Sequence, residues 1–377
     1  MTVRRTRVLI VYPHLPHYRL SVFNALDARA GLDVTFASST SGRDGIATMP
    51  PSAVKRHTAL MNRYVGNVLW QHGLTRLVAT SDFDVIVLLG NAAHVSSWLA
   101  ALIARARRRK VVFWTIGWHR PDAGLRKAVR LAFYRLGHQL WLYGDRGRRI
   151  GIEMGFPADR LVVVRNSNDL HSVGQTFPAA AEKSATVGLV ARLTPAKRVE
   201  QLIQAVAVLR GHGFPVEVAL AGEGPATSGL RSLASRLRVP VDFVGPLYDS
   251  ADLSAFYAPL SVTCIPAAAG LSVIQSLGHG VPVVTDDDDN SQMPEAEAVV
   301  PGLTGSRFVA GDIDDLARKL QFWIGEMATR PHDVAAACRA EIDARWNAET
   351  QVELMLDGID RLALSSHTVV EGDHHEP

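Results

Sequence analysis

The 377 residues read as an α/β protein of two doubly wound domains, each a parallel sheet with helices on both faces. Short apolar runs alternate with longer amphipathic ones along nearly the whole chain. The apolar runs are continuous rather than alternating with polar residues, as strands buried on both faces require. The alternation breaks at Phe177-Pro-Ala-Ala-Ala-Glu-Lys-Ser184 and then restarts. That break fits a chain more than twice as long as a typical domain of about 150 residues.

The expected strands of the first domain are 8–12, 32–36, 84–89, 110–115, 139–143 and 161–164, with helical stretches at 64–80, 95–108, 125–136 and 145–154. In the second domain the strands are 185–191, 216–221, 241–244, 260–265 and 281–285. Its helices are 198–212, 226–237, 250–257, 271–278 and 313–329. The expected organisation is a first domain over 1–178, a second over 185–345, a helix over 346–364 that crosses back to the first domain, and a disordered polar tail over 365–377. Two such sheets facing each other would put a site in the cleft between them, since open parallel sheets bind ligands beyond the carboxyl ends of their strands.

Composition narrows the function classes. With 47% hydrophobic and 20% charged residues the chain is an ordinary globular one, which excludes a mostly disordered protein, a collagen or a coiled coil. No apolar stretch is long enough to span a bilayer. The start, Met1 to Arg7, leads into a short apolar run without a small-residue cleavage site, so no secretory signal and a cytoplasmic location are expected. Cys264 and Cys338 lie far apart without a Cys-x-x-Cys, which argues against a disulfide framework or a zinc site. Net charge is only +3, which together with the lack of interleaved aromatics argues against nucleic acid as a partner.

The chemistry-bearing motifs fall at successive strand ends of the second domain. Strand 185–191 runs into Arg192-Leu-Thr-Pro-Ala-Lys197, an arginine and a lysine that could grip the two phosphates of a diphosphate. Two solvated loop charges would have the same spacing. The next strand ends in Gly222-Glu-Gly224-Pro225, where glycines would allow a ligand close to the backbone. Thr227 stands where a dinucleotide fingerprint needs its third glycine, which disfavours a nicotinamide or flavin enzyme. Then come Gly245-Pro-Leu247-Tyr248 and Pro266-Ala-Ala-Ala-Gly270-Leu271-Ser272, the latter opening a helix that carries Gln275. A helix start of this kind offers unpaired amides and a partial positive charge to phosphate.

Over about residues 185–330 this pattern resembles the retaining GT-B glycosyltransferases of glycosyltransferase family four. The residues that carry the resemblance are Gly188-Leu-Val-Ala-Arg192-Leu…Lys197, Leu220-Ala-Gly-Glu-Gly-Pro225, Phe243-Val-Gly245, Gly270-Leu…Gln275-Ser-Leu-Gly-His-Gly280-Val-Pro282-Val-Val284, Pro294-Glu295 and Gly302-Leu-Thr-Gly305. The resemblance implies the GT-B fold, with two Rossmann-like domains facing across a cleft. It also implies a nucleotide-sugar donor, which is a substrate rather than a cofactor, and a glycan or lipid-linked acceptor of polysaccharide biosynthesis. Arg192 and Lys197 would hold the diphosphate, the main chain near Leu247 the base, and the Gly270, Leu271 and Ser272 amides phosphate and sugar. The paired glutamates usual in the family are replaced by Ala267 and Gln275, and glutamine keeps an acceptor for a ribose hydroxyl. Transfer would then be front-face, with the leaving phosphate taking the acceptor proton. A nucleotide-sugar 2-epimerase of the same fold, or a protein that only binds nucleotide sugar, are the alternatives; the epimerase needs paired carboxylates.

In the first domain, the first strand leads into Pro13-His14-Leu-Pro16-His17-Tyr18-Arg19. His14, His17 and Arg19 could bind an anionic or hydroxylated acceptor, or the prolines could simply punctuate a turn. His119, after strand 110–115, stands where relatives often place a histidine near the reacting sugar. Asp286-Asp-Asp-Asp289 invites a magnesium or manganese reading, but arginine, lysine and helix amides make a metal redundant, so none is expected. The run Arg105-Ala-Arg107-Arg108-Arg109-Lys110 closes a helix, where cations suit the macrodipole. It could also touch an anionic membrane surface from the cytoplasmic side.

Overall fold

The computed structural model describes residues 5–42, 48–168 and 185–364. The chain divides into two compact units, one of residues 1–169 together with 348–377 and one of residues 170–347. The expected linker at 177–184 and the tail at 365–377 lie outside the described residues.

In the first unit, β1 (Thr6–His14) pairs in parallel with β2 (Leu32–Ser39) on one side and β6 (Val85–Leu89) on the other. With β3 (His57–Ala59), β7 (Lys110–Thr115), β8 (Gln139–Leu142) and β9 (Leu161–Val163) the sheet order is β3-β2-β1-β6-β7-β8-β9. The strand order reverses between β1 and β6. The apolar runs are continuous because alternate residues enter different cores. Val8, Ile10 and Tyr12 of β1 join Trp114 and Trp141 under α1 (Leu20–Ala28) and α12 (Ala348–Leu364). Leu9 and Val11 join Phe113 and Leu140 on the other face. There they meet α2 (Leu74–Thr80), α3 (Val95–Ala106), α4 (Gly124–Arg135) and α5 (Asp145–Glu153).

α12 is therefore part of the first unit. Val352, Met355, Ile359 and Leu362 fill its core, and Gln351 accepts from the Ser167 N–H and hydroxyl while donating to the Arg165 carbonyl.

The stretch 64–80, expected as one helix, is not one. It holds an antiparallel hairpin, β4 (Met61–Val65) and β5 (Val68–His72), before the short α2. A two-residue turn with Gly66 at φ +57° joins the strands. Tyr64, Val65, Val68 and Trp70 suit a pleated surface better than a helix, and Gly73 at φ +93° blocks continuation into α2.

In the second unit, β10 (Thr186–Val190), β11 (Glu217–Ala221), β12 (Val241–Gly245), β13 (Val262–Cys264), β14 (Val283–Asp286) and β15 (Gly305–Phe308) form a parallel sheet of order β12-β11-β10-β13-β14-β15. The order reverses between β10 and β13, the switch point at which doubly wound sheets bind ligands. Around it stand α6 (Val199–Gly211), α7 (Thr227–Leu237), α8 (Ser250–Tyr257), α9 (Leu271–Gly278), α10 (Ile313–Thr329) and α11 (Pro331–Arg345). Cys264 and Cys338 are both buried free thiols.

Candidate functional site

The loops that leave β10 and β13 flank that switch point, and a buried hydrogen-bond network fixes the second of them. Ala269 donates its N–H to Gln292 Oε1 at 2.8 Å, and Gln292 Nε2 donates to Thr285 Oγ1 at 2.8 Å and to Asp286 Oδ1 at 2.5 Å. Thr285 in turn donates to the Ile265 carbonyl at 2.7 Å, and the Asp286 N–H to the Pro266 carbonyl at 3.2 Å. Arg198, held at φ +51°, reaches from the β10 loop to Asp286 Oδ2 at 3.1 Å. Burial pushes the Asp286 carboxyl up, against the pull of Gln292 and Arg198.

This clamping leaves a selective surface. From Pro266 through Gly280 only Ala268, Gly270, Leu271, Ser272 and Gln275 keep partial exposure; their neighbours are buried. Gly270 caps α9 without a side-chain bond, so the first amides of the helix are open to a ligand. Lys197 reaches this loop from β10, donating from Nζ to the Ala268 carbonyl. Burial pulls the Lys197 ammonium down, and Glu295 acts in the opposite direction. Arg192 is exposed on the same loop. The structure thus gathers Lys197, Gly270, Leu271, Ser272 and Gln275 at neighbouring strand ends.

Gly222 and Gly224 permit a close approach, and in the Cβ direction the chain itself takes it up. A Cβ on Gly222 would stand 2.0 Å from the Ala191 carbonyl oxygen, and one on Gly224 would stand 2.2 Å from that of Leu193. These glycines lock the β10 and β11 loops together through Leu193 N–H to Glu223 O and Ala226 N–H to Leu193 O, each 3.0 Å. Leu247 is half-buried against the α8 side of the sheet, where it lines a groove of about 940 Å³ with Val244 and Phe256.

The four aspartates diverge. Asp286 is buried in the network, Asp287 accepts from the Ala310 N–H, Asp288 from the Asn290 N–H, and Asp289 pairs with Arg307 at 2.7 Å. Each carboxylate therefore has its own structural partner.

In the first unit, His14 ends β1, and His17 lies exposed on the turn that follows it. Arg19 is 2% exposed, so it does not present a guanidinium to solvent as the acceptor reading supposed. Its guanidinium carbon stands 4.6 Å from the Trp114 ring centre and 5.2 Å from that of Tyr143, a stacked cation among aromatics. His119 is half-buried on a loop after β7. That loop is anchored by Arg130, which donates to the Gly117 carbonyl at 2.8 Å and pairs with the buried Asp122 at 2.8 Å. The basic run after α3 is partly occupied. Arg109 and Arg107 meet Asp82 at 3.0 and 3.7 Å, and Arg105 donates to the Leu136 carbonyl.

Sequence reasoning missed Arg198 and Gln292 and quoted Glu295 only as part of a pattern. Arg198 could have been suspected from its place beside Lys197. Nothing in the spacing links Gln292 or Glu295 to a loop more than twenty residues upstream.

Comparison with known proteins bears on both fold and chemistry. Residues 176–337 match the family model described as glycosyl transferases group 1. Over 241 residues, 58% of this chain, it is 25% identical to an exopolysaccharide phosphotransferase of Streptomyces coelicolor. Over 96 residues, 25% of the chain, it is 32% identical to the GDP-mannose-dependent α-(1-6)-phosphatidylinositol dimannoside mannosyltransferase of Mycobacterium tuberculosis. The matched segments span 24% and 25% of those two proteins, about a quarter of each. The crystal structure of Anabaena HepE in complex with UDP is similar at TM-score 0.74 and 17% identity, covering 95% of this chain and all of that one. The fold is GT-B, built of Rossmann-like domains.

Proposed function

We propose that this chain is a glycosyltransferase that moves a sugar from a nucleotide-sugar donor to a glycan or lipid-linked acceptor, with retention at the anomeric carbon. The observation that carries the reading is the partly exposed patch of Ala268, Gly270, Leu271, Ser272 and Gln275 beside Lys197, with the rest of 266–280 buried. Open amides at a helix start, a lysine and an arginine suit the diphosphate of such a donor. The group 1 glycosyltransferase match across these residues and the UDP held by the Anabaena relative support the same donor class.

In this reading Arg192, Lys197 and the α9 amides stabilise the negative charge that grows on the departing diphosphate. The bond from the anomeric carbon to the phosphate oxygen breaks while the acceptor hydroxyl oxygen bonds the same carbon on the same face. The acceptor proton passes to the departing phosphate oxygen, so no protein nucleophile takes part. Gln275 binds ribose hydroxyls as both donor and acceptor. In this reading His119, His14 and His17, on loops and a strand end of the first unit, are assigned to the reacting sugar and the acceptor hydroxyls. The counter-charge is supplied by the protein, so turnover survives excess chelator. Loss of turnover with EDTA and its return with manganese would contradict this.

The deciding experiment is a thermal-shift panel of nucleoside diphosphates and their sugar conjugates, followed by assay of released nucleotide. A donor at a hundred times its Kd stabilises the chain by about 2.7 kcal/mol. Stabilisation and nucleotide release with one conjugate are expected; a flat panel overturns the reading.

A further inference from the structure

The second unit contains a buried carboxylate that the reaction as described does not use. Glu295, on the short turn Pro294–Ala298 that follows Gln292, is only 2% exposed. Its Oε2 lies 3.9 Å from where a Cβ on Gly270 would stand, which puts it against the N-terminus of α9. A carboxylate there would repel a diphosphate unless a cation balances it. That cation is at hand: Lys197, which donates to the Ala268 carbonyl in the same loop and interacts electrostatically with Glu295.

We propose that Glu295 is a positioning residue for the donor, holding the Lys197 ammonium in place beside the exposed start of α9. The inference rests on the nucleotide-sugar reading above. The chemistry follows from what surrounds the lysine. A largely buried ammonium loses much of its hydration, which favours the neutral amine. Of its three N–H donors, one goes to the Ala268 carbonyl. A neutral lysine would still make that bond, but it would no longer offer a positive charge to a phosphate. Glu295 opposes this loss of charge. The cations near the loop stand differently: Arg198, next in sequence, is paired with Asp286 of β14, and Arg192 is exposed. Glu295 is thus the carboxylate that acts on Lys197 itself, and it does so from a different segment of the chain.

The test combines a titration with donor kinetics. The sequence has six lysines, so isotope-labelled lysine side chains can be followed individually by NMR, with Lys197→Arg identifying the signal. In Glu295→Gln the Lys197 midpoint should fall by about one unit or more. Donor kcat/KM should then drop about tenfold per pH unit above the lowered midpoint, over a range where the unmodified chain holds its plateau. Glu295→Asp, which keeps the charge on a shorter stem, should recover part of the plateau. An unchanged Lys197 midpoint in a folded Glu295→Gln overturns the inference and leaves the donor reading intact. So does a lowered midpoint with donor use unaltered at every pH. If the unmodified chain neither binds nor turns over any nucleotide sugar, the donor reading falls and takes the positioning role with it. Because the Lys197 midpoint is read without any donor, the two failures are distinguishable. Should Glu295→Gln unfold, Glu295→Asp carries the same comparison with a smaller expected shift.

Discussion

The two units handle much of their buried polarity differently. In the second, Asp286 is paired with Arg198 and bonded by Gln292 and Ser291, and Lys197 donates to the Ala268 carbonyl with the Glu295 charge acting on it. In the first, the buried Asp122 is paired with Arg130, but other buried groups are held by rings or by burial itself. Arg19 is stacked on Trp114 and Tyr143, and burial pulls His94 down to about 4. His138 is also pulled down to about 4, by burial first and then by Arg105, Lys110 and Arg160. A network fixes the geometry of a loop, whereas an apolar enclosure fixes the charge state of a group. The first suits a surface that must present amides at set positions; the second makes a unit sensitive to acid.

The largest effect should come from breaking the network. Gln292→Leu leaves the Ala269 N–H, the Thr285 hydroxyl and one Asp286 oxygen without their shared partner, at a cost of about 3–4 kcal/mol to the second unit. Denaturant unfolding followed separately in the two units would show it, and a loss under 1 kcal/mol would mean the loop does not depend on the clamp.

The first unit should instead respond to acid. The folded-state pKa of His94 lies below its unfolded value of 6.5, so the neutral form is favoured on folding. The stability this contributes is complete above about pH 6.5 and is lost as pH falls towards about 4. The loss amounts to about 2–3 kcal/mol. Unfolding free energy measured across that window should slope downward in the unmodified chain and more shallowly in His94→Gln. Equal slopes would remove the contrast between the units.

On the donor side, Arg192→Ala and Lys197→Ala each remove a charge-assisted contact of about 1.5–3 kcal/mol. Ten- to hundredfold losses in donor kcat/KM are expected, with Tm nearly unchanged in Arg192→Ala and lowered in Lys197→Ala, which takes the ammonium away from the Ala268 carbonyl and from the buried Glu295. Gln275 sharpens the point. Gln275→Leu should lose about 1–3 kcal/mol of donor binding, while Gln275→Glu should stay within about tenfold because it retains an acceptor. A fall in Tm without a donor effect in both variants would show the residue to be only a packing element of α9.

The smallest effect concerns the basic run. Arg107 and Arg109 are already engaged with Asp82, so their attraction to anionic lipid should fall short of the full ~1 kcal/mol per residue. Val95, Leu99 and Leu102 are exposed along the same helix and would add apolar contact. Vesicle co-sedimentation of the chain with Arg107, Arg108 and Arg109 changed to serine should weaken modestly and in a salt-dependent way. Equal partition of the two forms would make the run a solvated helix end.

Much of this architecture was legible in the sequence. Strands buried on both faces leave an unbroken apolar signature, and 110–115 matches its strand end for end. The helix start at Gly270-Leu271-Ser272 was legible because small residues before an apolar helix are a local signal. The hairpin at 61–72 was not, since a two-strand ribbon with one exposed face mimics helical spacing over a short window. The use of the two glycines in 222–224 was legible in part: a close approach is visible in sequence, but that the Ala191 and Leu193 carbonyls make it is not. Gln292 and Glu295 act on a loop distant along the chain, and only the folded sheet brings β14 and its loop beside β13.

The return of α12 to the first unit has a consequence for the order of events during synthesis. The first unit's core includes Val352, Met355, Ile359 and Leu362, which are translated only after about 180 intervening residues. At about 5–20 residues per second, its sheet waits some ten to forty seconds for the helix that packs on Gln139 and Trp141 of β8. During that interval the second unit emerges whole and can fold first, although it comes later in the chain. The nascent first unit must keep an apolar face shielded until then, which makes it the part of this protein that most needs a holdase at the ribosome.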